Sequence, residues 1–283
     1  MTGAETGPNA QQVEYWNSPI AQTWVKLQTR LDRLFQPLTE VALQHAAPQS
    51  GERAIDIGCG CGATVLELAR RVGTGGHVLG VDISAPMLNL ARRRATEAGY
   101  SQATLIEADL ATYGFPSQSF DLAFSRFGVM FFADPVAAFA NLRAALKPGG
   151  RLVFACFRPL AENRWVLEPL TAVQHLLPPS PAPGPEEPGQ FAFADPDRVR
   201  RILTAAGFHN VTLTGHDPDM RLGDAKQAAD MSSQIGPIAR ALMGAPESLR
   251  TAVLEALATA YRRFDGPDGV TLPGANWIVA AKV

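Results

Sequence analysis

Apolar positions along this chain alternate between two rhythms. Short, mostly apolar runs occur at Ala54–Ile57, His77–Ile83, Thr104–Ala108, Phe120–Ser125 and Arg151–Phe157. Such runs predict strands buried on both faces. Between them apolar residues recur every three or four positions, as in Thr64, Val65, Leu68 and Ala69, in Leu88, Ala91 and Ala95, and in Phe139, Leu142 and Leu146. That spacing predicts helices, and strands alternating with helices predict a doubly wound α/β sheet. Pro86 and Pro135 fall in first helical turns behind Ser84 and Asp134, while Gly99 and Lys147-Pro148-Gly149-Gly150 act as stops.

The flanks of this alternating region carry other patterns. Residues up to about Gln12 are expected to be mobile. Ile20, Trp24, Leu27, Leu31, Leu34 and Phe35 mark an amphipathic helix opened by Pro19 and interrupted at Pro37, with a shorter helix over Val41–Ala46 ended by Pro48. Downstream, Trp165, Val166, Leu170, Val173 and Leu177 predict a helix, and the proline-rich stretch Pro178–Pro188 excludes regular helix or central strand. Asp195-Pro196 starts a helix through Val199, Ile202 and Leu203 to Gly207, Val211–Leu213 is a sixth strand, and a helix is expected around Leu249–Phe264. The domain reading is therefore a helical cap over 1–50, a core over 51–158, a proline-rich helical insertion over 159–194, a core helix and strand over 195–221, a second helical insertion over 222–270 and a final core strand over 271–283. No internal repeat is evident.

The stretch that gives this scaffold its chemistry is Ala54-Ile-Asp-Ile-Gly-Cys-Gly-Cys-Gly62. A buried strand breaks here into alternating glycines, which let a backbone approach a ligand closely, and the following helix turns its free N–H groups toward the same place. Dinucleotide-binding loops share this outline, but their spacing is G-x-G-x-x-G. Here it is G-x-G-x-G, and Asp56 stands two residues before the first glycine. A carboxylate there repels a pyrophosphate and suits a ligand carrying an ammonium and a sulfonium. The second strand ends at Asp82, where folds of this kind bind ribose hydroxyls, and the third is followed by Asp109. Three acids then share the carboxyl edge of one sheet.

Composition narrows the partners. Of 283 residues 46% are hydrophobic and 18% charged, against about 25% charged in ordinary globular chains, which favours one large core with insertions. A net charge of -2 leaves no electrostatic footprint for nucleic acid. No apolar run approaches the roughly 20 residues of a membrane span. Met1–Ala10 lacks the basic start and apolar centre of a secretory signal, so a cytoplasmic location is expected. Cys59, Cys61 and Cys156 fit a reducing compartment, and no histidine or second cysteine pair accompanies Cys59 and Cys61 to suggest a metal.

The acid followed by x-G-x-G-x-G, with Leu146-Lys-Pro-Gly-Gly-Arg-Leu152 before the fifth strand, resembles the class I S-adenosylmethionine-dependent methyltransferases over residues 51 to 158. Its flavour is that of the ubiquinone and menaquinone C-methyltransferases and of natural-product O- and N-methyltransferases, although the proline-rich insertion departs from the quinone enzymes. The resemblance implies a Rossmann-like seven-stranded sheet whose last strand, around Trp277–Ala281, runs antiparallel, with the N-terminal helices and insertions forming a lid. It implies S-adenosyl-L-methionine as cofactor, held by Asp56, Gly58, Cys59, Gly60 and Asp82. Asp109 would accept from the adenine amino group beside the Leu110 N–H. Ser125 and Arg126 sit at the strand end whose backbone carbonyl meets the cofactor's ammonium. Ile83 and Met87 either sandwich the adenine or are ordinary core.

Methyl transfer is an in-line displacement that needs alignment in a water-poor pocket. A small, hydrophobic or aromatic acceptor is expected, with Tyr15, Trp24 and Phe127 as pocket residues; the N-terminal aromatics either close over the ligands or cover a sheet edge. His175 and His216 are general-base candidates, each equally readable as structural, and no catalytic residue is assigned. Competing readings are a nicotinamide-dependent oxidoreductase and a cofactor-binding sensor without transfer. The acceptor atom and the oligomeric state stay open.

Overall fold

A computed structural model describes residues 7–179, 184 and 186–283. The described residues form two compact units, one of residues 7–156, 186–215 and 277–283 and the other of 157–179, 184 and 216–276.

The first unit is built on a seven-stranded sheet. In chain order it holds α1 (Ala10–Asn17), α2 (Pro19–Ala46), β1 (Arg53–Ile57), α3 (Ala63–Val72), β2 (His77–Asp82), α4 (Ala85–Glu97), β3 (Ala103–Glu107), β4 (Phe120–Arg126), α5 (Pro135–Ala145) and β5 (Leu146–Phe157). After α6 (Arg164–Val173), which belongs to the second unit, come α7 (Pro196–Ala205) and β6 (His209–His216). The last strand of the chain, Asn276–Lys282, lies between β5 and β6, so that the order is β3, β2, β1, β4, β5, last strand, β6. β1 pairs in parallel with both β2 and β4, β2 with β3, and β4 with β5, and the last strand is antiparallel, as the resemblance implied. Chain direction across the sheet reverses between β1 and β4. In such sheets the crevice outside the strand ends at that switch point is where ligands bind.

The strands form as their apolar runs predict. Ile55, Ile57, Val78, Val81, Leu122 and Phe124 are fully buried, and Leu43, Leu68, Val72 and Leu88 from the helices form one core cluster with Val78, Leu122 and Phe124. Of two breaks read from the sequence, the one at Pro37 is absent, while α5 does end before Lys147, at Ala145. α2 runs unbroken through Pro37, because Leu34, Phe35 and Leu38 before and after it bury on one continuous face that outweighs the lost backbone bond. The helix ends at Ala47, which takes a left-handed conformation at φ 42° and donates its N–H to Leu43 O. The Lys147–Gly150 stop is the bulged beginning of β5: Phe120 pairs with Leu146, and the next pair is Leu122 with Arg151. Arg151 joins these parts, donating from Nε to Ala46 O at 2.6 Å and from both Nη atoms to the Glu52 carboxylate at 2.7 and 2.8 Å.

The amino terminus is a further correction. Residues 1–6 lie outside the described residues, but Asn9 is buried and α1 begins at Ala10, so the chain is anchored well before Gln12. Of the proline-rich stretch, Ser180–Pro183 and Pro185 also lie outside the described residues. The end of the insertion expected over 159–194 packs within the first unit: Phe193 stacks on Phe139 at 6.1 Å, and Trp277 Nε1 donates to Ala194 O at 3.0 Å.

The second unit combines α6 with β7 (Asp219–Gly223), α8 (Ala225–Gln234), α9 (Gly236–Ala241), α10 (Glu247–Tyr261), β8 (Asp265–Gly266) and β9 (Gly269–Pro273), the seven-stranded sheet's last strand becoming β10. β7, β9 and β8 make a small antiparallel sheet that sequence pattern missed. Asp224 closes a capping box with Gln227 at α8, and buried Asn163 donates to Arg158 O and Ala275 O while accepting the Ala275 N–H. Among the described residues no helix is long and apolar enough to cross a membrane.

At the switch point the loops after β1 and β4 touch. A Cβ on Gly128 would stand 2.5 Å from Ile57 O and 2.7 Å from Gly58 Cα, whereas one on Gly51, at φ +84°, would meet nothing within 4 Å. Gly51→Ala therefore costs only backbone strain, about 1 kcal/mol. Gly128→Ala forces backbone from backbone and is expected to cost about 3 kcal/mol or more. Denaturant unfolding of the two variants measures the difference, and equal costs would contradict the close approach.

Candidate functional site

The loops beyond β1, β2, β3 and β4 surround a cavity whose opposite wall is supplied by Asn9, α1 and α2. Gly58, Cys59, Gly60, Asp82, Ile83, Met87, Asp109, Leu110 and Arg126 line it, as do Trp24 and Phe127. The structure thus brings most of the residues expected from sequence to one place. The glycine loop is fixed by backbone bonds from Gly58 and Cys59 N–H to Val81 O, at 2.9 and 3.2 Å. Asp82 then ties the loop to the next helix: its Oδ2 accepts the Gly60 N–H at 2.7 Å and its Oδ1 the Ser84 N–H at 2.8 Å. Ser84 was the expected cap of α4, yet its hydroxyl caps nothing, and Asp82 receives the backbone donor instead.

Five expected residues do not line the cavity. Asp56 is fully buried behind the loop, its Oδ2 accepting the Thr64 hydroxyl at 2.5 Å. Ser125 is equally buried and works as a brace, donating to Ile57 O at 2.8 Å and accepting the Gly128 N–H at 3.1 Å. Both belong to the loops' support, because side chains of a strand point alternately to either face and these two point into the core. Tyr15 packs edge-on against Trp16 at 5.2 Å, leaving Trp16 to face the cavity. His175 and His216 belong to the second unit and are not among the lining residues. No histidine lines the cavity among the described residues.

Sequence reasoning missed the polar residues of the opposite wall. Asn9 donates to Asp109 Oδ1 at 2.6 Å and accepts the Ala133 N–H at 2.8 Å. Asn17 does the same to the loop after β2, donating to Ile83 O and accepting the Ala85 N–H. On α2, Asp32 pairs with Arg94 at 2.7 Å, and Arg94 also donates to Cys61 O, so Arg94 bridges the wall to the glycine loop. Gln28 and Asp32 lie one turn apart on an amphipathic helix, where sequence cannot distinguish a cavity-facing polar residue from a solvated one. The remaining wall is aromatic, with Trp16 5.6 Å from Trp24 and 5.1 Å from Phe131, and Phe35 5.1 Å from Phe127. Phe127 adopts φ 73°, an unusual conformation for a bulky residue, held by its N–H bond to Ala155 O and by the Gly128 contact.

The residues fit S-adenosylmethionine on two observations. Asp109 Oδ2 is a buried acceptor without a hydrogen-bond partner among the described residues, on a side chain that lines the cavity. Gly60, at φ +52°, faces open space, the nearest atom to a Cβ there being Met87 Sδ at 3.8 Å. A donor group can therefore be taken up at Asp109 and a ligand can approach the loop backbone. The two loop thiols are no nucleophiles: burial pushes the Cys61 thiol up to about 12 and the Cys59 thiol well above its ordinary value.

Burial dominates the acids too. It raises the Asp56 carboxyl from its ordinary 3.8 to about 7, opposed by the Thr64 hydrogen bond and by the charge of Arg126, and it raises Asp82 against the Ser84 and Gly60 N–H bonds. An acid with a raised folded pKa holds its proton in the folded state while the unfolded chain has already released it. Stability contributed this way is present at low pH and lost as pH rises from about 4 to about 7. The ligand-free protein is expected to be less stable at pH 8 than at pH 5, and Asp56→Asn should flatten that difference by on the order of 2 kcal/mol. Urea unfolding of both proteins at the two pH values checks this, and identical slopes would exclude the raised carboxyl.

Comparison with known proteins adds to this geometry. A family model described as a methyltransferase domain matches residues 54–150. Aklanonic acid methyltransferase DauC of Streptomyces sp. (strain C5) is 37% identical over 143 residues, 49% of this chain and 65% of that protein, so the alignment spans just under two thirds of it. Nocamycin O-methyltransferase of Saccharothrix syringae is 32% identical over 201 residues, 68% of this chain and 71% of that protein. The crystal structure of the Bacillus YcgJ protein shares the fold, with a TM-score of 0.57 and 17% identity over 86% of this chain and 97% of that one. The chain belongs to the family of S-adenosylmethionine-dependent methyltransferases that its glycine loop and strand-end acids resemble.

Proposed function

We propose that this protein transfers the methyl group of S-adenosylmethionine to a small, largely apolar or aromatic acceptor. The observation that carries the reading is one cavity with two chemically different walls, carboxylates and a glycine loop on one side and Trp16, Trp24, Phe127 and Phe131 on the other. When bound, S-adenosylmethionine supplies an electrophilic methyl group on a positively charged sulfur. Asp109 Oδ2 is free to accept from the adenine amino group, beside Leu110, and Asp82 retains lone pairs for ribose hydroxyls beyond the two N–H groups it already accepts. Ile83 and Met87 line the same side and offer apolar surface to the base.

The aromatic wall excludes water and offers ring faces to a planar acceptor and to a cation. Alignment of two reactants in such a site can be worth about 7 to 11 kcal/mol. The bond from the acceptor atom to the methyl carbon forms as the carbon–sulfur bond breaks, and any proton on the acceptor leaves to solvent or to a base that no residue here is assigned to be. The relatives' names, one an acid's methyltransferase and one an O-methyltransferase, support a metabolite acceptor and leave the acceptor atom open. Unpaired thiols at Cys59, Cys61 and Cys156 support work in a reducing compartment such as the cytoplasm.

The test is transfer of label from methyl-labelled S-adenosylmethionine to a panel of aromatic acids, phenols and quinols. Labelled product supports the reading; binding of S-adenosylhomocysteine without transfer to any acceptor would make the protein a sensor, and tighter binding of NAD would make it an oxidoreductase. Asp109→Asn is expected to weaken S-adenosylhomocysteine binding about tenfold to a hundredfold by calorimetry, since it replaces one acceptor oxygen by a donor.

A further inference from the structure

Asn9 stands immediately before α1, at the position where an asparagine ordinarily accepts a backbone N–H of its own helix. It makes no such bond. Its buried side chain instead reaches residues 100 and 124 positions along the chain, donating from Nδ2 to Asp109 Oδ1 at 2.6 Å and accepting the Ala133 N–H at 2.8 Å. A backbone N–H can only donate, so the amide oxygen must face Ala133 and the amide nitrogen must face Asp109. The direction of the second bond is thereby fixed: Asn9 donates to the carboxylate.

The consequence falls on the other oxygen of Asp109. Rotation about the last bond of an aspartate side chain is soft, so a single donor selects weakly between its two oxygens. Here Oδ1 receives two donors, the Ala111 N–H at 2.9 Å and the Asn9 amide, while Oδ2 is buried without a hydrogen-bond partner among the described residues. The Ala111 bond is local, two residues along the chain, and an aspartate in any such turn can make it. The Asn9 bond comes from a distant segment and holds the carboxylate in one orientation, with Oδ2 presented as an acceptor. An acceptor held in this way takes a ligand N–H and rejects a ligand carbonyl, because two facing acceptors leave both unpaired.

We infer that Asn9 is a positioning residue for the purine of the methyl donor: by fixing Asp109 it makes the site select a base bearing an exocyclic amino group over one bearing a carbonyl at the same place. This rests on the methyl-donor reading and deepens it. Asn9 acts through Asp109 and lies outside residues 54–150, which the methyltransferase domain model covers, so the selection is a contribution of this chain's own amino-terminal segment.

The test uses the full chain and two ligands that differ only at the purine, S-adenosylhomocysteine and S-inosylhomocysteine, in which a carbonyl replaces the amino group. Calorimetric titration of the unaltered protein is expected to show about 10- to 100-fold tighter binding of the former. Asn9→Asp keeps the shape of the side chain and can still accept the Ala133 N–H, but it sets a second acceptor against Asp109 in place of a donor. The preference should then fall to about 3-fold or less. Asn17→Ala removes the anchor at the other end of α1, and it should weaken both ligands alike and keep their ratio. A preference that Asn9→Asp leaves intact overturns the inference. So does one that Asn17→Ala lowers as far, since Asn9 is then only an anchor of the helix. Hydrogen exchange over residues 10–17 of the unaltered protein gives an answer without any variant. At saturation S-adenosylhomocysteine should slow it more than S-inosylhomocysteine does, because coupling through Asp109 is reciprocal, and equal slowing overturns the link. Equal affinity of the unaltered protein for the two ligands overturns the inference and leaves the methyl-donor reading standing; binding of neither overturns that reading and the inference with it.

Discussion

Gly58 and Gly128 bring two backbone segments together with no room for a side chain on either, and the groups of the cavity are placed from that contact. A Cβ on Gly58 would lie 2.6 Å from Gly128 Cα. β1 and β4 are neighbours at the reversal of chain direction, so the loops leaving them must diverge to opposite sides of the sheet. They diverge only after touching. Ser125 spans the contact by bonding Ile57 O and the Gly128 N–H, and the turn this imposes leaves Phe127 at φ 73° with its ring at the cavity. Strain of this kind persists where the surroundings over-determine it, and it tends to mark working positions.

The same contact sets the electrostatics. Asp56 is carried by β1 into the interior, where its Oδ1 has no hydrogen-bond partner among the described residues and its carboxyl is pushed up to about 7. Asp82 is raised by burial as well. Each of these groups is worse off than it would be in water, and each is improved by a ligand of the opposite character. A ligand cation near the acids lowers the cost of their ionisation. Binding free energy is thus stored in the empty arrangement, which is what preorganisation means in physical terms.

How much of this is legible in sequence depends on whether a residue's role is local. Asp56, Asp82 and Asp109 could be read because each follows directly from a strand pattern, and a strand end in a parallel sheet fixes where a residue lies. Even so, the pattern could not separate an acid facing the cavity from one facing the core, and Asp56 proved to be the latter. α2 shows the opposite limit. Pro37 is a helix breaker on local grounds, and only burial of Leu34, Phe35 and Leu38 along one face keeps the helix whole. β7 and β9, five residues each and more than 40 residues apart in sequence, pair through contacts no local window contains.

The amino-terminal segment shows why the acceptor is harder to read than the cofactor. Asn9 and Asn17 bracket α1, and each binds a loop beyond a strand end with both halves of its amide, one at Asp109 and Ala133, the other at Ile83 and Ala85. Four hydrogen bonds, each worth about 0.5 to 1.5 kcal/mol net, hold eight helical residues of which none is buried. The helix's apolar anchoring is the Trp16 ring against Trp24 and Phe131, little surface beside that of a buried strand. Asp56 and Asp82 stand on strands of the sheet and Asp109 just beyond β3, whereas Trp16, which lines the cavity, stands on α1, none of whose residues is buried. A wall held by amides at its two ends can change its aromatic residues without disturbing the sheet, so its sequence records the acceptor only through side chains whose positions the sheet does not dictate.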